Sequence, residues 1–151
     1  MGTSGKVAAT LAAVSMLAAF PTGAIAMSSA EKLRRLDIML MVTGLRCRTT
    51  ADNFQADYGR FTTNHITELN AASDQLKREL VGRPGGPVRA LDRLSVVMAN
   101  TYGQGHPWLG CSELKQVARN LAQARGSAPL IAAADQLLGE SGNSQIVVSR
   151  R

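Results

Sequence analysis

The chain has 151 residues, a formal net charge of +6 and two cysteines. This length suits one domain with one core, because domains cluster at about 100 to 150 residues. Aromatic residues make up only 4% of the chain, whereas Ala, Leu and Arg are plentiful. This composition favours helices over β-sheet.

The first 26 residues predict a cleavable export signal. Lys6 provides a positive start, residues 7–20 form a predominantly apolar run, and residues 24–26 read Ala-Ile-Ala, the small-x-small pattern after which signal peptidase cuts. A membrane-spanning helix needs about 20 apolar residues, more than this run offers. We therefore expect a mature protein that begins at Met27, is periplasmic or secreted, and does not stay inserted in the membrane.

The positive charge bears on the choice of partner. A small basic domain in the cytoplasm would raise the question of nucleic acid, but export argues against that partner. The chain also has no run of five or more like charges, as a basic binding tail would. The excess charge fits solubility or attraction to lipid head groups and acidic polysaccharide. We expect the partner to be an envelope protein or an anionic envelope surface, and not nucleic acid.

Apolar residues that recur every three or four positions predict an all-α fold, a single compact bundle of four to five helices over residues 27–139. The first predicted helix begins at Ser28 or Ser29. The second segment spans 51–81 as one helix or two collinear ones, with a weak point at Thr62 to Asn64. The remaining three helices begin at Pro87, Ser112 and Ser127. The motif GRPGGP at 82–87 is too short a break to separate domains. Residues 140–151 lack helical periodicity, so we expect a flexible C-terminal tail.

The two cysteines predict one disulfide. Their number is even and the expected compartment is oxidising, so Cys47 and Cys111 should pair. The bond would join the end of the first helix to the start of the fourth and close the bundle. The alternative, a thiol pair for redox or zinc chemistry, would need a Cys-x-x-Cys motif or four clustered ligands, and the sequence has neither.

Both histidines are candidates for chemistry, and each has a structural alternative. His65 lies on the apolar stripe between Phe61 and Leu69, where a lone histidine is typically buried with one hydrogen-bond partner. The functional alternative is a general base or a pH sensor. If His106 approached His65, two titratable groups could share a cleft and serve a small hydrolase.

The loop between the third and fourth predicted helices gathers Tyr102, His106 and Trp108, the last being the only tryptophan of the chain. Loops on a rigid scaffold often carry recognition residues, so these three residues are candidates for partner binding. The alternative is that Trp108 plugs the end of the bundle while Pro107 and the glycines shape the turn.

Three segments carry a resemblance to a known family: LRRLDIMLMVTGLRCR at 33–48, FQADYGRF at 54–61, and LDRLSVVMANTYGQGHPWLGCSELK at 91–115. They resemble a family of small exported alphaproteobacterial proteins, some of which carry the label adenosylhomocysteine hydrolase. That enzyme is a multi-domain protein with a Rossmann unit, whose glycine fingerprint this chain lacks. The resemblance therefore implies an exported family fold and provides no site residues.

These observations favour an exported binding protein of the envelope, such as an inhibitor, a chaperone-like factor or a stress-related factor. The alternatives are a small periplasmic hydrolase that uses His65 and His106, and a metal or ligand carrier. In a carrier, Met39, Met41 and Met98 could be soft copper ligands, although methionines at helical spacing usually fill a core. We expect no cofactor and no metal.

Processing gives the first testable prediction. Because the apolar run ends in Ala-Ile-Ala at residues 24–26, the exported product should begin at Met27. Intact-mass measurement of the protein recovered from outside the cytoplasm checks this directly. A soluble exported species that still contains Lys6 would contradict the prediction.

Overall fold

The computed structural model describes residues 27–139, and every regular element in this part of the chain is an α-helix. The six helices are α1 (Ser29–Cys47), α2 (Gln55–Asn64), α3 (Ile66–Glu79), α4 (Gly86–Thr101), α5 (Cys111–Gln123) and α6 (Ser127–Leu137). The all-α prediction is therefore confirmed for the described residues, but the expected count of four to five helices is wrong. The predicted signal at 1–26 and tail at 140–151 lie outside the described residues.

The additional helix arises from a break at His65, within the predicted segment 51–81. The backbone of His65 has φ −116° and ψ 21°, which ends α2 and allows α3 to begin. Just before the break, the hydroxyls of Thr62 and Thr63 both donate to the carbonyl of Gly59. Such side-chain bonds to the preceding turn weaken a helix. Asn64 then donates to the carbonyl of Ala122 at 2.7 Å, and His65 to that of Leu121 at 2.8 Å. These bonds to α5 fix the break.

Helix α1 lies at the centre of the fold and contacts each of the other five helices. It is buried on more than one side, because Leu36 and Leu40 face the main core while Ile38, on the opposite side of the helix, is also buried. Gly44 allows the ring of Phe54 to approach closely, since a Cβ at this position would lie 3.3 Å from that ring. The core is thus arranged around one helix.

The disulfide between Cys47 and Cys111 is confirmed. Cys47 is the last residue of α1 and Cys111 is the first residue of α5, and their Cα atoms lie 5.7 Å apart. The bond joins positions that are separated by 64 residues in the sequence. It therefore holds the C-terminal end of the central helix against the N-terminal end of α5.

Among the described residues, no helix is both long and apolar enough to cross a membrane.

The second testable prediction concerns the disulfide. The double variant Cys47→Ala, Cys111→Ala should lower the free energy of unfolding by about 2 to 5 kcal/mol, because the cross-link restricts the unfolded chain. Chemical denaturation of the variant and of the oxidised parent measures the difference. Reduction of the parent should destabilise it by a similar amount but leave the double variant unaffected. Equal stability of all three forms would contradict the prediction.

Candidate functional site

The loop from Tyr102 to Gly110 is fastened at both ends. Next to its C-terminal end, Cys111 is bonded to α1 through the disulfide, and the N–H of Gly110 donates to the Glu113 carboxylate at 2.6 Å. Near its other end, the Arg46 guanidinium of α1 donates to the carbonyl of Gly103 at 2.9 Å. The loop is therefore a shaped surface between α4 and α5.

His106 organises the interior of this loop. Its side chain is buried, and Nε2 lies 2.9 Å from the carbonyl of Leu137 in α6, so Nε2 carries the proton and donates. Nδ1 then accepts from the backbone N–H groups of Trp108, at 3.4 Å, and Leu109, at 3.3 Å. The neutral imidazole thus uses both nitrogens. Burial lowers the pKa of His106, although the bond to Leu137 acts in the opposite direction.

The three predicted binding residues lie in one aromatic stack. The Tyr102 and His106 rings are 6.1 Å apart and nearly parallel, and the edge contact between His106 and Trp108 has a centroid distance of 4.6 Å. Tyr102 is only 4% exposed, whereas Trp108 is 56% exposed. The Trp108 ring also lies near Gly139, where a Cβ would be 3.3 Å away. Tyr102 and His106 are therefore buried inside the loop, and Trp108 is the one of the three whose side chain is available to a partner.

A cavity adjoins this surface. His106 and Leu109, which flank Trp108 in the sequence, line a cavity of about 360 Å³ together with Thr43, Arg46 and the disulfide. The cavity offers hydroxyl, guanidinium and apolar groups from α1, α5 and the loop, and the Trp108 side chain is not part of its lining. A partner that covers the whole loop could place a side chain there.

His65 lies in a different part of the molecule. It is 1% exposed, and because Nε2 donates to the carbonyl of Leu121, its Nδ1 must act as an acceptor in the neutral ring. Nδ1 has no hydrogen-bond partner, and its nearest charged neighbour is the Glu68 carboxylate at 4.0 Å. Both side chains line a polar cavity of about 450 Å³, with Asn64 and residues 122–126. We name this the His65 cavity.

The structure does not bring the two histidines together. His65 binds Leu121, near the C-terminal end of α5, whereas His106 precedes the N-terminal end of the same helix. Leu121 follows Cys111 by ten positions, which corresponds to about 15 Å along the helix. The histidines also line separate cavities. The geometry therefore does not provide the shared cleft that the hydrolase hypothesis requires.

Sequence reasoning missed two aspartates that join helices, Asp57, which is buried, and Asp37, which is partly buried. Asp57 of α2 pairs with Arg60 and, at 3.6 Å, with Arg119 of α5. Burial raises the pKa of Asp57, but the bonds and charges of the two arginines outweigh it, so the pKa lies below its usual value. Its i,i+3 spacing from Arg60 was the only sequence signal.

The second aspartate is Asp37 of α1, which accepts a hydrogen bond from the Tyr58 hydroxyl at 2.9 Å. Burial raises the pKa of Asp37 despite that bond and the charge of Arg34. Burial and the neighbouring Asp37 charge also raise the pKa of Tyr58. This pair fastens α1 to α2 and lies apart from both histidines.

The methionines proposed as copper ligands have different environments. Met39 and Met98 are buried in the core, whereas Met41 is exposed. Within residues 27–139, no group of three or more His, Cys, Asp or Glu side chains could hold a metal ion.

In comparisons with protein-family models, curated proteins and solved structures, none matches this chain. The resemblance to small exported proteins therefore stays an expectation. Any functional proposal must start from the geometry of the loop and of the two cavities.

The third testable prediction concerns His106. Since its pKa is lowered in the folded protein, the stability that it provides is fully present above the usual histidine pKa. It is lost as the pH falls from there towards the lower folded pKa. Denaturation at a series of pH values should show this loss, and the non-titrating variant His106→Gln should lack that part of it. Trp108 emission, quenched by a protonated imidazole at this 4.6 Å contact, should follow the same titration. An identical pH dependence in both proteins would contradict the assignment.

Proposed function

We propose that the mature chain is an exported binding protein that engages an envelope protein through Trp108. The observation that carries the proposal is the exposure of this side chain, 56%, on a loop whose backbone is held by the disulfide, by Arg46 and by His106. The disulfide supports the proposed location, because such bonds persist in oxidising compartments. The predicted signal supports it as well.

The chemistry of Trp108 suits a binding hot spot. Tryptophan is enriched among the residues that dominate interface energies, because it offers a large contact area with few rotatable bonds. The bonds of His106 to Leu137, Trp108 and Leu109 keep the loop in one shape before binding. A preformed loop loses little conformational entropy when a partner covers it. The neighbouring cavity of about 360 Å³ adds a recess for a partner side chain.

The main alternative partner is an anionic membrane surface. Tryptophan is also favoured at the membrane interface, and exposed Arg46, near the end of α1, contacts the loop through the carbonyl of Gly103. We favour a protein partner because a loop that carries both an exposed indole and a recess fits a shaped surface better than a flat one. The two partners give different results in the test below.

The fourth testable prediction concerns Trp108. A photoreactive aromatic amino acid placed at position 108 should cross-link in intact cells to one discrete envelope protein. The same replacement at Val96, which is 58% exposed on α4, should not. Trp108→Ala should abolish capture of that protein while lowering the free energy of unfolding by only about 1 kcal/mol, since its ring is largely in water.

The outcomes separate the alternatives. Equal cross-linking from positions 108 and 96, or capture that survives Trp108→Ala, would contradict the proposal. Trp108 is the only tryptophan, so its emission reports its own surroundings. A blue shift with anionic phosphatidylglycerol vesicles but not with neutral phosphatidylcholine vesicles, together with no protein cross-link, would assign the loop to the membrane surface instead. A loss of about 3 kcal/mol or more in Trp108→Ala would identify a core residue.

A further inference from the structure

The turn between α3 and α4 gathers three exposed arginines. Arg83 lies in the turn, and Arg89 and Arg93 belong to α4. A Cβ at Gly85 would lie 3.3 Å from Cδ of Arg89 and 3.5 Å from a guanidinium nitrogen of Arg93. Arg93 also donates to the carbonyl of Pro84 at 2.6 Å. The side chains of Arg89 and Arg93 therefore lie close to the turn that carries Arg83.

Exposed apolar side chains lie beside these arginines. Val96 and Val97 of α4 are 58% and 62% exposed. Val96 follows Arg89 by seven positions and Arg93 by three, so the three residues share one face of the helix. Val97 lines an apolar groove of about 330 Å³ together with Arg83 and Arg93. We name these five residues, Arg83, Arg89, Arg93, Val96 and Val97, the arginine face.

The arginine face carries a net positive charge. Within residues 27–139, the ion pairs involve other basic side chains, and none includes one of these three arginines. Asp92 is the only acidic residue of α4, and it does not line the groove. The first turn of α4 has no acidic residue and no side-chain cap, so the helix dipole adds to the positive potential there. A partner of this face must be anionic.

The side chains of the face favour a lipid surface over a protein. Residues 80–97 contain no aromatic residue, whereas the residues that dominate protein interfaces are enriched in tryptophan and tyrosine. Binding to a membrane surface requires only apolar area and attraction to anionic lipids. Arginine side chains are long enough to reach head groups while neighbouring apolar side chains enter the boundary below them.

We propose that the arginine face docks the protein on a bilayer surface rich in anionic phospholipid. The arginines contact the phosphate groups, and Val96 and Val97 lie at the boundary between head groups and acyl chains. The groove and the loop cavity share no lining residue, so this contact does not depend on the function proposed above. A lipid partner also agrees with the use of Val96 as the control for protein cross-linking.

The test measures co-sedimentation of the purified exported protein with lipid vesicles. Vesicles of equal parts phosphatidylglycerol and phosphatidylcholine should bind the protein, pure phosphatidylcholine vesicles should not, and added salt should weaken binding, because it screens the charges. The double variant Arg83→Gln, Arg89→Gln should bind about twentyfold more weakly, since each arginine near an anionic membrane contributes about fivefold. Arg93 is left unchanged because it also bonds the turn.

The matched control Arg48→Gln, Arg125→Gln removes the same charge from other exposed positions. Arg48 follows the C-terminal end of α1, whereas the start of α1 lies near the end of α3, where Ser28 bonds Glu79. Arg125 lines the His65 cavity, near the start of α3. The control should therefore bind much more tightly than the arginine-face variant. Equal weakening by the two double variants would overturn the proposal.

Further variants distinguish a lipid surface from other anionic partners. Arg83→Lys, Arg89→Lys should bind nearly as the parent does, because a fluid lipid surface requires the charge and not the planar guanidinium. Val96→Ser, Val97→Ser should weaken vesicle binding several-fold, since it removes the apolar contact. Loss of binding in the lysine variant, or unchanged binding in the serine variant, would overturn the proposal.

Two readouts locate the contact on the molecule. Trp108 emission should stay unchanged when vesicles bind, because Trp108 lies on the loop beyond the end of α4, and a blue shift would assign the membrane contact to that loop instead. A photoreactive aromatic amino acid at Val96 should not cross-link to a discrete protein in intact cells. Such a cross-link, or no binding to the anionic vesicles at low salt, would overturn the proposal.

Discussion

Contact between α1 and every other helix is the constraint on which the arrangement of this molecule depends. Few aromatic residues are available, so the core is built from Leu, Ala and Met side chains around one central helix. The disulfide then fastens the end of that helix to α5. The loop cavity and the His65 cavity are consequences of this arrangement, because they are formed at the two ends of α5.

The two histidines each donate a hydrogen bond to a carbonyl near the C-terminal end of a helix. The last carbonyls of an α-helix lack partners within the helix, and His65 and His106 each donate from Nε2 to such a carbonyl, Leu121 in α5 and Leu137 in α6. They differ at Nδ1. That of His106 accepts two backbone N–H groups, whereas that of His65 accepts none. One histidine is therefore fully used by the fold, and the other retains a free acceptor next to a carboxylate.

The sequence predicted the features that depend on local pattern. Helical periodicity located the helices, and an even number of cysteines predicted the pair Cys47 and Cys111. It placed a weak point at Thr62 to Asn64, directly before the observed break at His65, but could not decide between one helix and two, because the break depends on hydrogen bonds to α5, more than fifty residues away. Tyr102, His106 and Trp108 could be grouped because they share a loop. Which of them is exposed could not be predicted, because His106 is held in the interior by its hydrogen bond to Leu137 of α6, which is distant in the sequence.

The position of α1 also bears on the order in which the chain can complete its fold. Helix α6 is the last described helix, yet it packs against α1, the first, and Lys32 pairs with Asp135 at 2.7 Å. During synthesis or passage through a membrane pore, α1 emerges with its apolar faces uncovered and stays partly uncovered until α6 follows. The apolar faces of α1 therefore stay partly exposed until nearly all of the described residues have emerged. A holding factor that recognises apolar helices would find its longest-lived target in α1.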